Sequence, residues 1–298
     1  MTSDESRADL LPHAVVACQG VEGAYSQLAA DVLFDQPETL FMRTFDGVFR
    51  AVESGLVHYG VLPIENSTAG SVTAVYDLMR KYRFSIVRSV KMYIPHMLLA
   101  KDKIGLSELK KIYTHEQAIK QCGDFIEKHP HIEIIECANT AVAARMVAES
   151  DEPYSAAIAS EACVDQYALS VLKRDLQNHQ NNYTRFICIS KDREVLVDAD
   201  RISLMLTLEH KAGSLFEVIK EFAEADFNLL MLESRPIPDT DFEFMFYFDV
   251  EGSFADPRWT ELEKRLEALA THYVCMGNYR EEVIDNRRTI ASESLQEM

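Results

Sequence analysis

Short apolar runs alternate with amphipathic stretches along the first half of the chain. The runs at 14–18 and 59–64 have the length and apolar character of buried strands, and the stretch at 25–34 has helical periodicity. Strands separated by helices of this length predict parallel β-α-β units. In order, the predicted elements are strand 14–18, helix 25–34, strand 40–45, helix 46–54, strand 59–64, helix 70–82, a strand near 112, helix 116–128, strand 132–137, helix 140–149 and strand 156–159.

Residues 84–100 interrupt this alternation and carry no helical period. We expect this stretch to cross from one α/β lobe to a second, and the chain to return near 180–190. A two-lobed α/β arrangement binds ligands in the cleft at the carboxyl ends of its strands. The pattern therefore predicts a first domain at 14–190 with a ligand cleft between its lobes.

A different pattern follows the charged segment 191–201, which has lost the apolar periodicity. Strand 202–208, helix 214–225, strands 229–234 and 242–250, helix 257–270 and strand 273–279 are predicted in the order β-α-β-β-α-β. This is the order of the ferredoxin-like fold. It predicts a second domain at 201–280, with flexible ends at 1–13 and 281–298.

Composition and charge exclude some kinds of partner. Of the 298 residues, 47% are apolar and 26% are charged, as in ordinary globular domains. The net charge of −18 argues against nucleic acid as a partner, because phosphate binding needs clustered Lys and Arg. An anionic ligand would therefore have to be held by a few local donors.

The location in the cell and the absence of a metal are predicted from missing sequence features. Residues 1–12 are acidic and have no apolar core like that of a secretory signal, and no window has the roughly 18 apolar residues of a membrane span. The six cysteines are scattered, with no CxxC and no metal-ligand spacing. We expect a cytoplasmic protein with free thiols, no metal site and no membrane contact.

Polar residues cluster where predicted strands pass into helices. Segment 20–26 is typical of a glycine turn with a capping serine, or of an anion cradle at a helix N-terminus. Segment 65–71 places several hydrogen-bonding groups beyond a buried strand, and segment 114–117 lies at another such junction. Asn139-Thr140 is explained most simply as a helix cap. Segment 182–186 contains a threonine, an arginine and an aromatic residue, which offer a proton, a fixed cation and an apolar wall.

Taken in order, the motifs GVEGAYSQLAA, GVLPIENSTAGSV, THEQAIKQC, AAIASEAC and NNYTRF resemble the prephenate dehydratase family over about residues 14–190. The sequence departs from the family where SHPQ is common, since Thr114 and Glu116 replace Ser and Pro there. The resemblance implies a two-lobed fold like that of type II periplasmic binding proteins, with the active site between the lobes.

The resemblance also implies an activity, the conversion of prephenate to phenylpyruvate, water and carbon dioxide in phenylalanine biosynthesis, without a metal or organic cofactor. Thr184 matches the threonine of the family's TRF motif and would give a proton or a hydrogen bond to the departing hydroxyl group. Arg185 is the leading cation for a substrate carboxylate, or else part of an internal ion pair. The residues expected to bind substrate are Asn66, Ser67, Thr114, Gln117, Arg185, Tyr25, Ser26, His115 and Phe186.

In the second domain, Gly213-Ser214-Leu215-Phe216 and Glu233-Ser234-Arg235-Pro236 resemble the GALV and ESRP motifs of the ACT domain. The resemblance implies that phenylalanine binds between two chains and inhibits the enzyme, and that the protein is a homodimer or homotetramer. Leu230-Met231 departs from the family pattern, which leaves the choice of effector more open than the reaction. The residues expected at the effector are Gly213, Ser214, Leu215, Asn228, Leu229, Glu233 and Ser234.

Three alternative functions differ from this one in what they require of the sequence. An arogenate dehydratase would act on the amino counterpart of prephenate, and this sequence alone does not separate the two substrates. A non-catalytic small-molecule-binding protein shares the two-lobed fold but not the TRF segment. An amino-acid-responsive transcription regulator is opposed by the acidic charge. Because only about a dozen residues precede Ala14, we expect a monofunctional enzyme without a chorismate mutase helix.

Overall fold

The structure is a computed structural model that describes residues 13–285, apart from residues 180, 195, 197 and 238–242. The predicted flexible ends lie outside the described residues, except for His13 and residues 281–285. The strands are β1 (Val15–Gln19), β2 (Glu38–Met42), β3 (Tyr59–Asn66), β4 (Gly70–Ser71), β5 (Ser85–Tyr93), β6 (Met97–Ala100), β7 (Lys111–Thr114), β8 (Glu133–Glu136), β9 (Ser155–Ala159), β10 (Ser170–Lys173), β11 (Tyr183–Ser190), β12 (Arg201–Leu208), β13 (Asn228–Pro236), β14 (Phe244–Glu251), β15 (Ala270–Tyr279) and β16 (Glu281–Ile284). The helices are α1 (Tyr25–Leu33), α2 (Phe45–Glu53), α3 (Thr73–Tyr82), α4 (Glu116–Gln121), α5 (Gly123–Glu127), α6 (Thr140–Glu149), α7 (Ala162–Tyr167), α8 (Ser214–Glu224) and α9 (Pro257–Leu269).

The described chain divides into two compact units. The first contains residues 13–76 and 90–186 with the last described residues from 283, and the second contains residues 77–89 and 187–282. Segment 77–89 therefore belongs with the C-terminal residues, which the sequence pattern did not indicate. The predicted domain division between 190 and 201 stays a prediction. None of the helices in the described residues combines the length and the apolar character that crossing a membrane requires.

The first lobe of the first unit is built on parallel strands in the order β2-β1-β3. Strand β4 folds back on β3, pairing Gly70 with Asn66. Helices α1, α2 and α3 follow β1, β2 and the β3-β4 hairpin along the chain. Because parallel strands end at one edge of a sheet, these helices begin at that edge.

The second lobe is built on a five-stranded sheet in the order β10-β6-β9-β7-β8. Strands β7, β8 and β9 are parallel, whereas β6 runs antiparallel to β9 and β10 runs antiparallel to β6. Alanines on α6 and β9 pack together in the core of this lobe. Their small side chains let the helix lie close to the sheet.

Residues 84–100, which the sequence pattern predicts to cross between the lobes, also contain strands β5 and β6, which the pattern did not indicate. The physical reason is burial on both faces. All four residues of β6 are buried, and β5 has buried residues at six of its nine positions. A strand covered on both faces lacks the alternation of apolar and polar residues by which strands are recognised.

In the second unit, strands and helices follow in the predicted order β12-α8-β13-β14-α9-β15. The four strands form an antiparallel sheet in the order β13-β14-β12-β15. Helices α8 and α9 cover one face of the sheet, and Phe222, Phe248 and Trp259 are fully buried in the core between them. The predicted ferredoxin-like arrangement is therefore confirmed.

Candidate active site

A cavity of about 530 Å³ lies in the first unit, and residues of both lobes line it. Gln19 at the end of β1, Asn66 at the end of β3 and His115 just after β7 contribute to its wall. This is the edge at which α/β sheets bind ligands. The lining includes seven of the ten residues expected to act on or bind substrate, namely Tyr25, Ser26, Asn66, His115, Gln117, Thr184 and Phe186.

The hydroxyl group of Thr184 is hydrogen-bonded to the side-chain amide of Asn66. Asn66 Nδ2 donates to Thr184 Oγ1 over 2.9 Å. A threonine hydroxyl has one proton to donate and two lone pairs that can accept. Because its oxygen accepts from Asn66, the proton of Thr184 remains for a group in the cavity. An accepted hydrogen bond also polarises a hydroxyl and makes it a better donor.

A network of hydrogen bonds fixes the orientation of Asn66. Its Oδ1 accepts from the backbone N–H groups of Thr68 (3.0 Å) and Ala69 (2.9 Å) and from the hydroxyl of Thr68 (2.8 Å). This is the local turn that asparagine typically forms with the residues after it. Its Nδ2 donates to Asn182 Oδ1 as well, over 2.9 Å. The amide is therefore held in one orientation, with its donor group toward Thr184.

Two residues that were not among the expected site residues, Gln121 and His96, extend this network. Gln121 Oε1 accepts from Asn182 Nδ2 over 2.9 Å and lies 2.7 Å from His96 Nε2, while Gln121 Nε2 donates to Asn66 Oδ1 over 3.3 Å. Burial lowers the pKa of His96, so the ring is neutral and Nε2 carries the proton given to Gln121. Gln121 lies one helical turn after Gln117, so helical spacing could have revealed it. His96 lies in the stretch 84–100, for which the sequence pattern predicted a crossing between the lobes and no site residue.

Helix N-termini surround the cavity. The first residues of α1, α3 and α6 line it, as do His115, the N-cap of α4, and Phe45, the first residue of α2. As expected, Asn139 caps α6, since its side chain accepts from Val142 N over 2.8 Å. The start of a helix carries about half a positive charge from its free N–H groups. Among the described residues no Asp, Glu, Lys or Arg lines the cavity, so the helix N-termini supply the partial positive charge at its wall.

Arg185 does not line the cavity. Its side chain is 8% exposed, and its Nε lies 3.5 Å from Glu65 Oε2. The reason is the alternation of side chains along β11: Thr184 and Phe186 both line the cavity, and Arg185 between them points to the opposite face. The substrate-binding role expected for Arg185 is therefore not supported, and the alternative of an internal ion pair is.

Ser67 and Thr114 also lie away from the cavity wall. Ser67 Oγ donates to the carbonyl oxygen of Asn181 and accepts from the backbone N–H of Tyr183. Thr114 is fully buried, and its hydroxyl donates to the carbonyl oxygen of Ile158 over 3.0 Å. Both hydroxyls join neighbouring segments of the backbone, so their expected contact with substrate stays a prediction that the cavity lining does not support.

The residues expected at the effector lie at the start of α8 and on β13 in the second unit. Gly213, the N-cap of α8, has φ +93°, a conformation that favours glycine. The hydroxyl of Ser214 is buried without a hydrogen-bond partner among the described residues. Leu215 and Leu229 pack against the core, and Asn228 Nδ2 donates to Glu251. Glu233 and Ser234 lie farther along β13, which is an edge strand.

Comparison with known proteins identifies relatives that match about nine-tenths of the chain. Residues 16–194 match the model of the prephenate dehydratase family. A bifunctional chorismate mutase/prephenate dehydratase of Enterobacter agglomerans is 33% identical over 282 residues, which cover 91% of this chain and 72% of the relative. The chloroplastic arogenate dehydratase/prephenate dehydratase 2 of Arabidopsis thaliana is 34% identical over 277 residues, covering 89% and 72%.

Two solved structures are similar over nearly their whole length. A prephenate dehydratase of Arthrobacter aurescens in complex with L-Phe has a TM-score of 0.80 and 25% identity, covering 95% of this chain and 97% of that one. GqqA, described as a novel type of quorum quenching acylase, has a TM-score of 0.81 and 27% identity, covering 90% and 98%. The likeness to solved prephenate dehydratases confirms the predicted α/β fold class.

Proposed function

Because this chain belongs to the prephenate dehydratase family, we propose that it converts prephenate to phenylpyruvate in the cavity around Thr184, with feedback inhibition by L-phenylalanine. The observation that carries the proposal is the hydrogen bond from Asn66 Nδ2 to Thr184 Oγ1 at the cavity wall. The chain spans 72% of the length of the bacterial and plant relatives, and we propose only the dehydratase activity for it.

The reaction breaks two bonds of prephenate. The ring carboxylate leaves as carbon dioxide, and the electron pair of its C–C bond enters the ring. The ring becomes aromatic as the C–O bond to the ring hydroxyl breaks, and the oxygen leaves as water once it has gained a proton. In our proposal Thr184 donates that proton or a strong hydrogen bond, and its hydroxyl is reprotonated from solvent. Help of this kind is typically worth about 10² to 10⁴ in rate.

Thr184 needs Asn66 in order to act as a donor. An isolated threonine hydroxyl is a weak acid, and charge that develops on its oxygen must be stabilised. The N–H group of Asn66 at 2.9 Å supplies this stabilisation. Because Asn66 is held by Thr68, Ala69 and Asn182, the donor needs no reorganisation during the reaction. Gln121 and His96 support the same arrangement.

An acylase activity like that named for GqqA is the rival function. Acyl transfer to a hydroxyl needs a base within hydrogen-bonding distance of the nucleophile. Among the described residues, neither histidine of the cavity is paired with a hydroxyl. His96 Nε2 is bonded to Gln121, and His115 Nδ1 accepts from the backbone N–H of Gln117. The hydroxyl of Thr184 is bonded to an amide instead, which favours dehydration.

The test of the proposed function is a side-by-side assay with prephenate and arogenate, with an N-acyl amino-acid lactone as the acylase control. We expect phenylpyruvate to form from prephenate, the highest kcat/KM with this substrate, and no cleavage of the amide bond that holds the acyl group of the lactone. A preparation that turns over the lactone but neither ring substrate would contradict the proposal. One that prefers arogenate would keep the chemistry and change the substrate.

For regulation, we propose that the second unit is an ACT domain that binds L-phenylalanine near Gly213–Leu215 and Asn228–Leu229. The complex of the Arthrobacter aurescens relative with L-Phe supports this choice of ligand. The buried hydroxyl of Ser214 lacks a partner among the described residues, and a bound amino acid could supply one. A titration in which L-phenylalanine leaves the rate unchanged would oppose the assignment.

We also propose a homodimer or homotetramer in the cytoplasm. Leu230 and Leu232 on the edge strand β13 are about 40% exposed, and Phe216 on α8 is 64% exposed. Apolar residues on an open sheet edge favour pairing with a second chain. Six free cysteines are typical of a reducing compartment. Sedimentation at several concentrations, with and without L-phenylalanine, measures the oligomeric state.

A further inference from the structure

We propose that the beginnings of α1 and α6, with the hydroxyls of Ser26 and Thr140, form the subsite for the keto-carboxylate side chain of the substrate, and that this subsite favours a keto acid over its amino counterpart. This proposal rests on the proposed dehydratase function. It adds where in the cavity each of the two carboxylates of the substrate binds.

Helix α1 begins without a cap. It has nine residues, and its N-cap residue Ala24 makes no side-chain hydrogen bond. The backbone N–H groups of Tyr25 and Ser26 have no hydrogen-bond partner among the described residues. Groups in this position are ordinarily satisfied by a capping side chain, by water or by a ligand. Both residues line the cavity.

The hydroxyl group of Ser26 is a second indication of a ligand, independent of the helix. Ser26 is only 5% exposed and lines the cavity, yet its side chain makes no hydrogen bond among the described residues. Buried hydroxyl groups in folded proteins nearly always have a partner. A carboxylate oxygen in the cavity would accept this proton together with those of the uncapped N–H groups.

Helix α6 begins beside α1. A Cβ atom on Gly20 would lie 3.0 Å from Cβ of Ala24 and 3.6 Å from Nδ2 of Asn139, so the two N-cap residues adjoin across this glycine. Thr140, the first residue of α6, lines the cavity, and its hydroxyl has no partner among the described residues. The positive ends of two helices of nine and ten residues therefore meet at one end of the cavity.

The chemistry of the reaction decides which carboxylate belongs there. Donors that stabilise the ring carboxylate would strengthen binding of the ground state and slow its departure as carbon dioxide. The carboxylate of the side chain stays in the product, so strong donors to it cost nothing in rate. The ring carboxylate is then left to the apolar part of the wall, to which Ile94, Ala118 and Phe186 belong.

The same subsite discriminates between a keto group and an ammonium group. A carbonyl oxygen beside the carboxylate can accept from the same N–H and O–H donors. An ammonium group in that position meets donors and the positive ends of two helices, and no Asp or Glu of the described residues lines the cavity to balance its charge. We expect kcat/KM for the keto substrate to exceed that for the amino substrate by about 5- to 30-fold.

The test compares Ser26→Ala and Thr140→Val with wild type. Each variant is expected to raise KM for prephenate by about 10- to 100-fold, the usual effect of losing a hydrogen bond to a charged group, with kcat within about threefold. Product inhibition by phenylpyruvate, which keeps the same side chain, is expected to weaken by the same factor. Ser54→Ala and Thr39→Val remove hydroxyls that do not line the cavity and serve as matched controls.

The outcomes separate the subsite from the proposed function. Wild-type enzyme without prephenate turnover rejects the dehydratase function itself. If the enzyme turns over prephenate, a rise in KM without a change in phenylpyruvate inhibition would place the ring carboxylate at this subsite and overturn the inference. An unchanged KM in the variants would also overturn it, and so would a wild-type preference for arogenate. Circular dichroism monitors the folding of both variants. If the buried Ser26→Ala variant does not fold, Thr140→Val, at a partly exposed position, serves as the test.

Discussion

Asn66 shows how one side chain can both build a loop and prepare a catalytic group. Its carbonyl oxygen organises the turn after β3, and its amide nitrogen donates to Thr184. The motif around Asn66 and the TRF segment are 118 positions apart in sequence, and the resemblance to a family was enough to associate them. Only the fold shows that these two side chains are hydrogen-bonded. Only the fold shows, too, that the proton of Thr184 remains available to a group in the cavity.

Asn66→Asp tests this arrangement at the residue scale. A carboxylate cannot donate, so it would accept the proton of Thr184 and withdraw it from the substrate. We expect kcat to fall by about 10² to 10³ with a smaller change in KM, as on loss of a preorganised donor. Steady-state kinetics measure both constants, and the melting temperature controls for loss of the turn. A kcat within tenfold of wild type would sink the role of Asn66 as a donor.

Arg185 is the residue for which sequence reasoning had to leave two roles open. Since its side chain lies beside Glu65 and away from the cavity, we expect Arg185→Met to leave KM for prephenate within about threefold of wild type. The free energy of unfolding should fall by roughly 1–3 kcal/mol, because Glu65 loses its partner. Urea unfolding and kinetics on one preparation check this. A large rise in KM at unchanged stability would restore the substrate-binding role.

At the scale of elements, the sequence predicted most of the helices and strands but missed strands that are buried on both faces. The bounds of α6 agree with the prediction at both ends, since Asn139 marks its start and its apolar residues keep a helical period. Strands β5 and β6 were missed because burial on both faces removes the alternation on which recognition depends. The predicted helix 116–128 breaks at Cys122 into α4 and α5, and Gly123 follows the break.

The uncapped start of α1 gives a prediction at this scale. In Ala24→Ser the new hydroxyl would accept from the free N–H groups of the first turn and cap the helix. We expect the free energy of unfolding to rise by about 0.5–2 kcal/mol, the usual contribution of a helix cap. Substrate binding should weaken at the same time, because the capped N–H groups are no longer available to a carboxylate. Denaturation and KM measured together check this, and a stabilised variant with unchanged KM would contradict it.

At the scale of the molecule, feedback is proposed to start in the second unit, and Trp259 reports on that unit. It is the one tryptophan of the sequence and is buried in the core formed by α8 and α9. A ligand present at 100 times its Kd stabilises a folded state by about 2.7 kcal/mol. We expect L-phenylalanine to raise the midpoint of unfolding followed by tryptophan fluorescence. D-phenylalanine is the control, and equal shifts for both enantiomers would argue against a specific effector site.

The overall charge fixes what kind of site this protein needs. With a net charge of −18, an anionic substrate approaches against the field of the whole molecule, and the sequence suggested that an arginine would compensate. The structure instead provides neutral donors and helix N-termini around the cavity. These helix N-termini come together only in the tertiary structure, so no single residue type in the sequence predicts the site.

The central claim is that the hydroxyl of Thr184 drives the loss of water, and its most direct test is kcat for prephenate in Thr184→Val. Valine keeps the shape of threonine without its hydroxyl, and Thr184→Ser restores the hydroxyl as the matched control. We predict a kcat lower by about 10² to 10⁴ in the valine variant, KM within about threefold, and substantial recovery in the serine variant. A folded valine variant that keeps more than a tenth of wild-type kcat would contradict the account.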